Sequence, residues 1–74
     1  MVYEKITFNS EVVDGVTIWR VRIVVRVGIH KHELTFVDFY DKVEQCKDSP
    51  LFTAVMNGMK VSTFIEQFKD YEIE

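Results

Sequence analysis

Asp14-Gly15 stands between two runs rich in β-branched and aromatic residues, and no other feature of the chain constrains its folding more tightly. An antiparallel hairpin closed by a two-residue turn needs positive φ at both turn positions, which Asp-Gly adopts at low cost. The turn also sets a register. Pairing Val13 with Val16 places Val12 opposite Thr17, Ser10 opposite Trp19, Phe8 opposite Val21, Ile6 opposite Ile23, Glu4 opposite Val25 and Val2 opposite Val27. That face is nearly all apolar. The other holds Glu11 with Ile18, Asn9 with Arg20, Thr7 with Arg22, Lys5 with Val24 and Tyr3 with Arg26, and is mostly polar and basic. A slip of one residue mixes the two sets, so turn chemistry and period-two patterning specify one register independently. The expected strands are 2–13 and 16–29. The second outlasts the first, so its tail needs a partner from elsewhere.

The second half reads as helical. Thr35-Phe36-Val37-Asp38 and Thr63-Phe64-Ile65-Glu66 each pair an N-cap Thr with an acid three positions on, the pattern of a capping box. Phe36, Phe39, Tyr40 and Val43 then recur at helical spacing, as do Phe64, Ile65, Phe68 and Tyr71. Helices are expected over 36–47 and 63–71. One echo is too little for a repeat protein, and reflects the shared task of laying an amphipathic helix on a sheet. Between them, Ser49-Pro50 suits a cap with Pro at the first helical position, and Asn57-Gly58 suits a helix end. The rival is a hairpin turning at Asn57-Gly58. The stripe Leu51, Phe52, Val55, Met56 and Met59 favours the helix, over 50–57.

Together these elements predict a single small α+β domain over 1–74, a long hairpin followed by two or three helices on one face (ββααα). With 74 residues, apolar burial roughly balances the chain entropy lost on ordering, and the ribbon would have two open edges. A homodimer extending the hairpin to a four-stranded sheet answers both problems. No apolar run approaches the ~20 residues of a membrane span, and Met1-Val2-Tyr3-Glu4-Lys5 lacks a signal peptide's apolar stretch. A soluble, cytoplasmic protein without membrane contact is expected.

Few residues here suggest chemistry. His30 and His32, two apart on a strand, point the same way and can share a metal, yet no further ligand stands at a diagnostic spacing. Solvated histidines are the simpler expectation. Cys46 is the sole cysteine, with no CxxC and no base or oxyanion signature beside it, and is expected to pack as a small hydrophobe. Carboxylates fall on expected helix surfaces, Gly15 and Gly58 have turn or cap roles, and Gly28 marks a bend. The sequence therefore predicts no enzyme, no metal and no cofactor.

Surfaces remain. Residues 1–32 carry Lys5, Arg20, Arg22, Arg26 and Lys31 against Glu4, Glu11 and Asp14, whereas 33–74 carry four lysines against nine acids, for a net charge of −3. The basic row Arg20, Arg22 and Arg26, with Lys5 and Tyr3, is expected on the hairpin's outer face. Side chains two apart on a strand lie ~7 Å from each other, a spacing that permits nucleic-acid binding. The acidic whole argues instead for a protein partner. Trp19, opposite the small Ser10, is expected to pack in the core or to anchor a partner. The function expected is a small regulator or inhibitor that binds a protein through its acidic helical surface, its hairpin, or both.

Overall fold

A computed structural model describes residues 2–28 and 32–73. Asp14 (φ 52°) and Gly15 (φ 79°) both occupy the left-handed region, so the turn forms as its chemistry demands. Strands β1 (Val2–Val13) and β2 (Val16–Val27) pair in the expected register from Val13↔Val16 through Ile6↔Ile23 to Lys5↔Val24. Beyond that the ladder shifts. Tyr3, rather than Glu4, lies opposite Val25, and Val2 lies opposite Arg26, so Glu4 is the extra residue of a β-bulge. The bulge corrects the expected side of Tyr3. Its ring turns to the inner face, meets Phe64 edge-on at 5.5 Å between centroids, and its hydroxyl donates to the Met59 carbonyl at 2.5 Å.

The expected helix over 36–47 is strand as far as Tyr40 and helical only over its last five residues, Val43–Lys47. Strand β3 (His32–Tyr40) runs antiparallel along β2, with Val27 opposite His32, Ile23 opposite Phe36 and Trp19 opposite Tyr40. An unpaired β2 edge offers a ladder of backbone hydrogen bonds, and Thr35-Phe36-Val37 with Phe39-Tyr40 is rich in residues that fit a pleated surface. Those two terms outweigh the capping pattern at Thr35. Asp38 disguises the alternation, because it occupies an inward position. Its carboxylate is satisfied locally, accepting from the Phe39 N–H at 2.8 Å and the Tyr40 hydroxyl at 2.7 Å.

Three short helices follow: α1 (Val43–Lys47), α2 (Pro50–Met56) and α3 (Val61–Gln67). Gln45 reaches back to accept from the Asp41 and Lys42 N–H groups and so starts α1. Helix α2 matches the expected segment, with Ser49 accepting from Phe52 N–H at 3.2 Å and Gly58 at φ 79° past its end. Helix α3 takes Lys60 as its N-cap, three residues before the expected Thr63, and gives way to a 3₁₀ turn at Lys69–Tyr71. Strand β4 (Glu72–Ile73), which the sequence did not suggest, then pairs with β3 at Phe36 and Thr35.

The sheet thus has four strands in the order β1-β2-β3-β4, all from one chain. The chain supplies the two strands that dimerisation was expected to bring, and the order is βββαααβ rather than ββααα. Helices α1 and α2 pack on β2 and β3 from one side. Val21, Ile23, Val25, Phe36, Cys46, Leu51 and Phe64 are fully enclosed between the layers. Phe64 is the hub, edge-on to Phe36 at 5.0 Å and 4.8 Å from Phe68. No helix is long and apolar enough to cross a membrane.

The bulge makes an unusual deletion tolerable. Removing Glu4 heals the ladder and leaves Tyr3 facing inward, at the cost of one exposed ion pair worth about 0–1 kcal/mol. Removing Thr7 instead turns Ile6 outward and Lys5 inward, which costs several times as much. Urea unfolding should show a midpoint close to that of the parent for the Glu4 deletion and a large drop for the Thr7 deletion; equal drops would refute the bulge.

Candidate interaction surface

All three helices lie on the inner side, so the outer face of the sheet has no second layer among the described residues. Alternation places Glu11, Asn9, Thr7 and Lys5 of β1 there, with Ile18, Arg20, Arg22, Val24 and Arg26 of β2 and Phe39, Val37, Thr35 and Glu33 of β3. Val24 and Val37 are nonetheless buried and stand outside the inner core cluster. Lys5 lies opposite Val24 and Arg22 opposite Val37, and side chains of this type can shelter apolar neighbours with their stems while their charged ends reach water.

Arg20 is the centre of this face. It lies between Asn9 on β1 and Phe39 on β3, and Phe39 is 55% exposed. Asn9, Ser10, Glu11, Ile18, Arg20 and Phe39 line a cavity of about 40 Å³. The Arg20 Nε is sealed from solvent and has no hydrogen-bond partner. An unmade bond to a sheltered charged donor costs more than a surface one, so this atom favours any acceptor that reaches it. The cavity has room for an acceptor the size of a water oxygen.

The expected basic row separates into paired and unpaired members. Arg26 is neutralised beside the bulge, 3.6 Å from the Glu4 carboxylate, with Glu33 opposite it on β3. Lys5, Arg20 and Arg22 have no ion-pair partner among the described residues. Arg22 and Lys5 share a shallow depression with Thr7, Val24, Glu4 and Glu33. Tyr3 has left this face altogether. Trp19 lies on the inner face between Ser10 and Tyr40, half-buried against the core. Beyond the Trp19–Tyr40 pair the hairpin has no third strand and projects as an arm, leaving Val12 70%, Val16 56% and Val13 42% exposed. The arm accounts for the 42 Å long axis and for a radius of gyration of 12.7 Å, above the ~11 Å of a compact chain this size.

Sequence reasoning missed Phe39, because it joins Arg20 only when β3 pairs with β2. The acidic helical surface is also less continuous than expected, since α2 carries no charged residue and separates Glu44 from Glu66 and Asp70.

On the inner side, the chemistry-bearing groups are held quiet. Cys46 is buried, and burial first, then the Asp38 charge, pushes its thiol up from the ordinary value, away from the reactive thiolate. Tyr40 is raised strongly by burial and then by its hydrogen bond to Asp38 and that carboxylate's charge. Tyr3 is raised by burial. His32 is exposed on β3, and His30 lies outside the described residues. Among the described residues no three of His, Cys, Asp and Glu converge on one point. No family model matches the chain, and neither curated proteins nor solved structures match it.

The three raised groups set an alkaline limit. A group whose folded pKa exceeds its unfolded value keeps its proton in the native state after the unfolded chain has lost it, so stability falls as pH rises past the unfolded value. Those ordinary values are 9.0 for the thiol and 10.0 for the tyrosines. Urea midpoints should therefore hold steady up to about pH 8.5 and decline above about pH 9, steepening past about pH 10. Tyr40→Phe should flatten the upper part of that decline. Midpoints constant to pH 11 would contradict the burial of these groups.

Proposed function

We propose that the chain is a small non-enzymatic protein-interaction module, a regulator or inhibitor that acts as a homodimer. Its contact surface is the hairpin rather than the helical layer. The observation that carries this is the uncovered sheet face, where the solvent-sealed, unpartnered Arg20 Nε stands beside exposed Phe39. Arg22 and Lys5 extend the same positive strip without ion-pair partners among the described residues.

The partner this face fits is a protein segment carrying a carboxylate next to an apolar side chain. A carboxylate oxygen supplies the acceptor that Arg20 lacks, and the guanidinium fork matches it geometrically. The apolar neighbour packs on Phe39. The exposed valines of the arm widen the apolar contact, with Trp19 at its root to stiffen the arm. Broken into separate patches by the uncharged α2, the acidic helical surface offers a less continuous alternative.

Nucleic acid is the competing ligand, because an exposed aromatic beside arginines on an open sheet can stack a base. Against it stand Glu4, Glu11 and Glu33 on the same face and the net charge of −3. One set of variants separates these outcomes. Crosslinked capture from the native host should yield the same protein with the parent and with a Glu66→Lys/Asp70→Lys variant, and should lose it with Arg20→Ala/Arg22→Ala. Trp19→Ala should weaken capture less than the arginine pair does, because it loosens the arm from the inner face without removing a contact of the outer one. Capture retained by the arginine variant and lost by the helix variant would transfer the site to the helices. A salt-sensitive gel shift lost with the arginines would transfer the ligand class to nucleic acid.

A further inference from the structure

The two edges of the sheet are managed differently. On the β3 side, β4 covers Thr35 and Phe36, and the Asp38 carboxylate occupies the Phe39 N–H. On the β1 side nothing among the described residues covers the strand. Val13↔Val16 closes a two-residue turn and is a hydrogen-bonded pair. Alternation then directs the backbone groups of Glu11, Asn9, Thr7 and Lys5 toward β2. It leaves those of Val12, Ser10, Phe8 and Ile6 pointing out from the free edge.

We infer that this edge is the dimer seam: β1 of a second copy pairs antiparallel with it about a two-fold axis at Phe8, making an eight-stranded sheet. The inference rests on the homodimer part of the proposed function and adds the edge, the register and the residues. Charge complementarity selects the register. With Phe8 opposite itself, Ile6 meets Ser10 through the outward backbone groups, Thr7 meets Asn9, and Lys5 meets Glu11, twice by symmetry. Opposing side chains then share a face, and Ile6 and Phe8 of both copies stay on the inner side. Sliding by two residues puts Lys5 against Asn9 or Val13 and loses both charge pairs. Parallel pairing in register would set Lys5 against Lys5.

Local structure fits this seam. Lys5, Asn9, Ser10 and Glu11 are exposed and free to pair, while Ile6 and Phe8 are half-buried with area left to cover. Each Phe8 already rests on its own Phe52, 5.2 Å between centroids, which holds the ring in place at the axis. The Glu4 bulge ends the regular ladder just past Lys5, limiting the seam to one turn-proximal stretch. Because a two-fold contact uses β1 of both copies, it consumes the same edge on each and the assembly closes at two.

Sedimentation equilibrium at micromolar concentration tests the seam, with circular dichroism confirming that each variant is folded. The parent should sediment at twice 8.8 kDa. Lys5→Glu and Glu11→Lys should each weaken association about tenfold or more, since each sets two like-charge pairs across the seam. The double swap Lys5→Glu/Glu11→Lys should restore it. Dimers indifferent to the single changes, or not restored by the double, overturn the seam while leaving the homodimer standing. A monomeric parent overturns both. Arg20→Ala/Arg22→Ala should remain dimeric; dissociation there would place the seam on the outer face instead.

Discussion

Val21, Ile23 and Val25 lie in a row on the inner side of β2 and are completely enclosed, and the remaining structure follows from the need to enclose them. A strand with three such residues cannot lie at an edge. It requires a neighbour on each side for its backbone and a layer beneath for its side chains. β1 and β3 supply the neighbours. Leu51 of α2 and Phe64 of α3 supply the layer, with Phe36 reaching across from β3. The short helices form because this apolar floor receives their inward stripes, since segments of five to seven residues do not hold helical structure alone.

Enclosing one side of β2 leaves the other side to solvent, and the functional reading grows from that asymmetry. Among the described residues nothing is left to cover the outer face of the sheet, because all three helices pack on the inner side. The outer residues must then be both water-compatible and protective, a combination that long Lys and Arg side chains such as Lys5 opposite Val24 and Arg22 opposite Val37 can provide. The same arrangement leaves a positive strip with a trapped, unpartnered guanidinium nitrogen next to an exposed ring. Structural economy and the proposed contact face have one cause here.

Much of this was legible in the residues, and the failures are as informative as the successes. The hairpin register from Val13 down to Lys5 follows from two local signals that agree. Helix α2 follows from Ser49-Pro50 and Asn57-Gly58 at the correct separation. The alternation of Leu34, Phe36 and Tyr40 was equally present, but Asp38 interrupted it and Thr35 imitated a cap. Pairing energy from the β2 edge, which is invisible to any local window, decided for strand. Tyr3 fell on the wrong side because strict alternation has no means of placing a bulge. An inward pocket beside Phe64 and Met59 made its ring and hydroxyl worth the extra residue.

By itself, the sequence determined a hairpin with one apolar and one basic side and a helical cover, because each of these depends on periodicity or on neighbours within a few residues. Tertiary structure alone decided the third and fourth strands, the side of Tyr3, the meeting of Phe39 with Arg20, and which sheet edge stays open. Those outcomes depend on backbone groups distant in sequence finding partners, and a hydrogen bond between β2 and β3 is a property of two segments that neither one records.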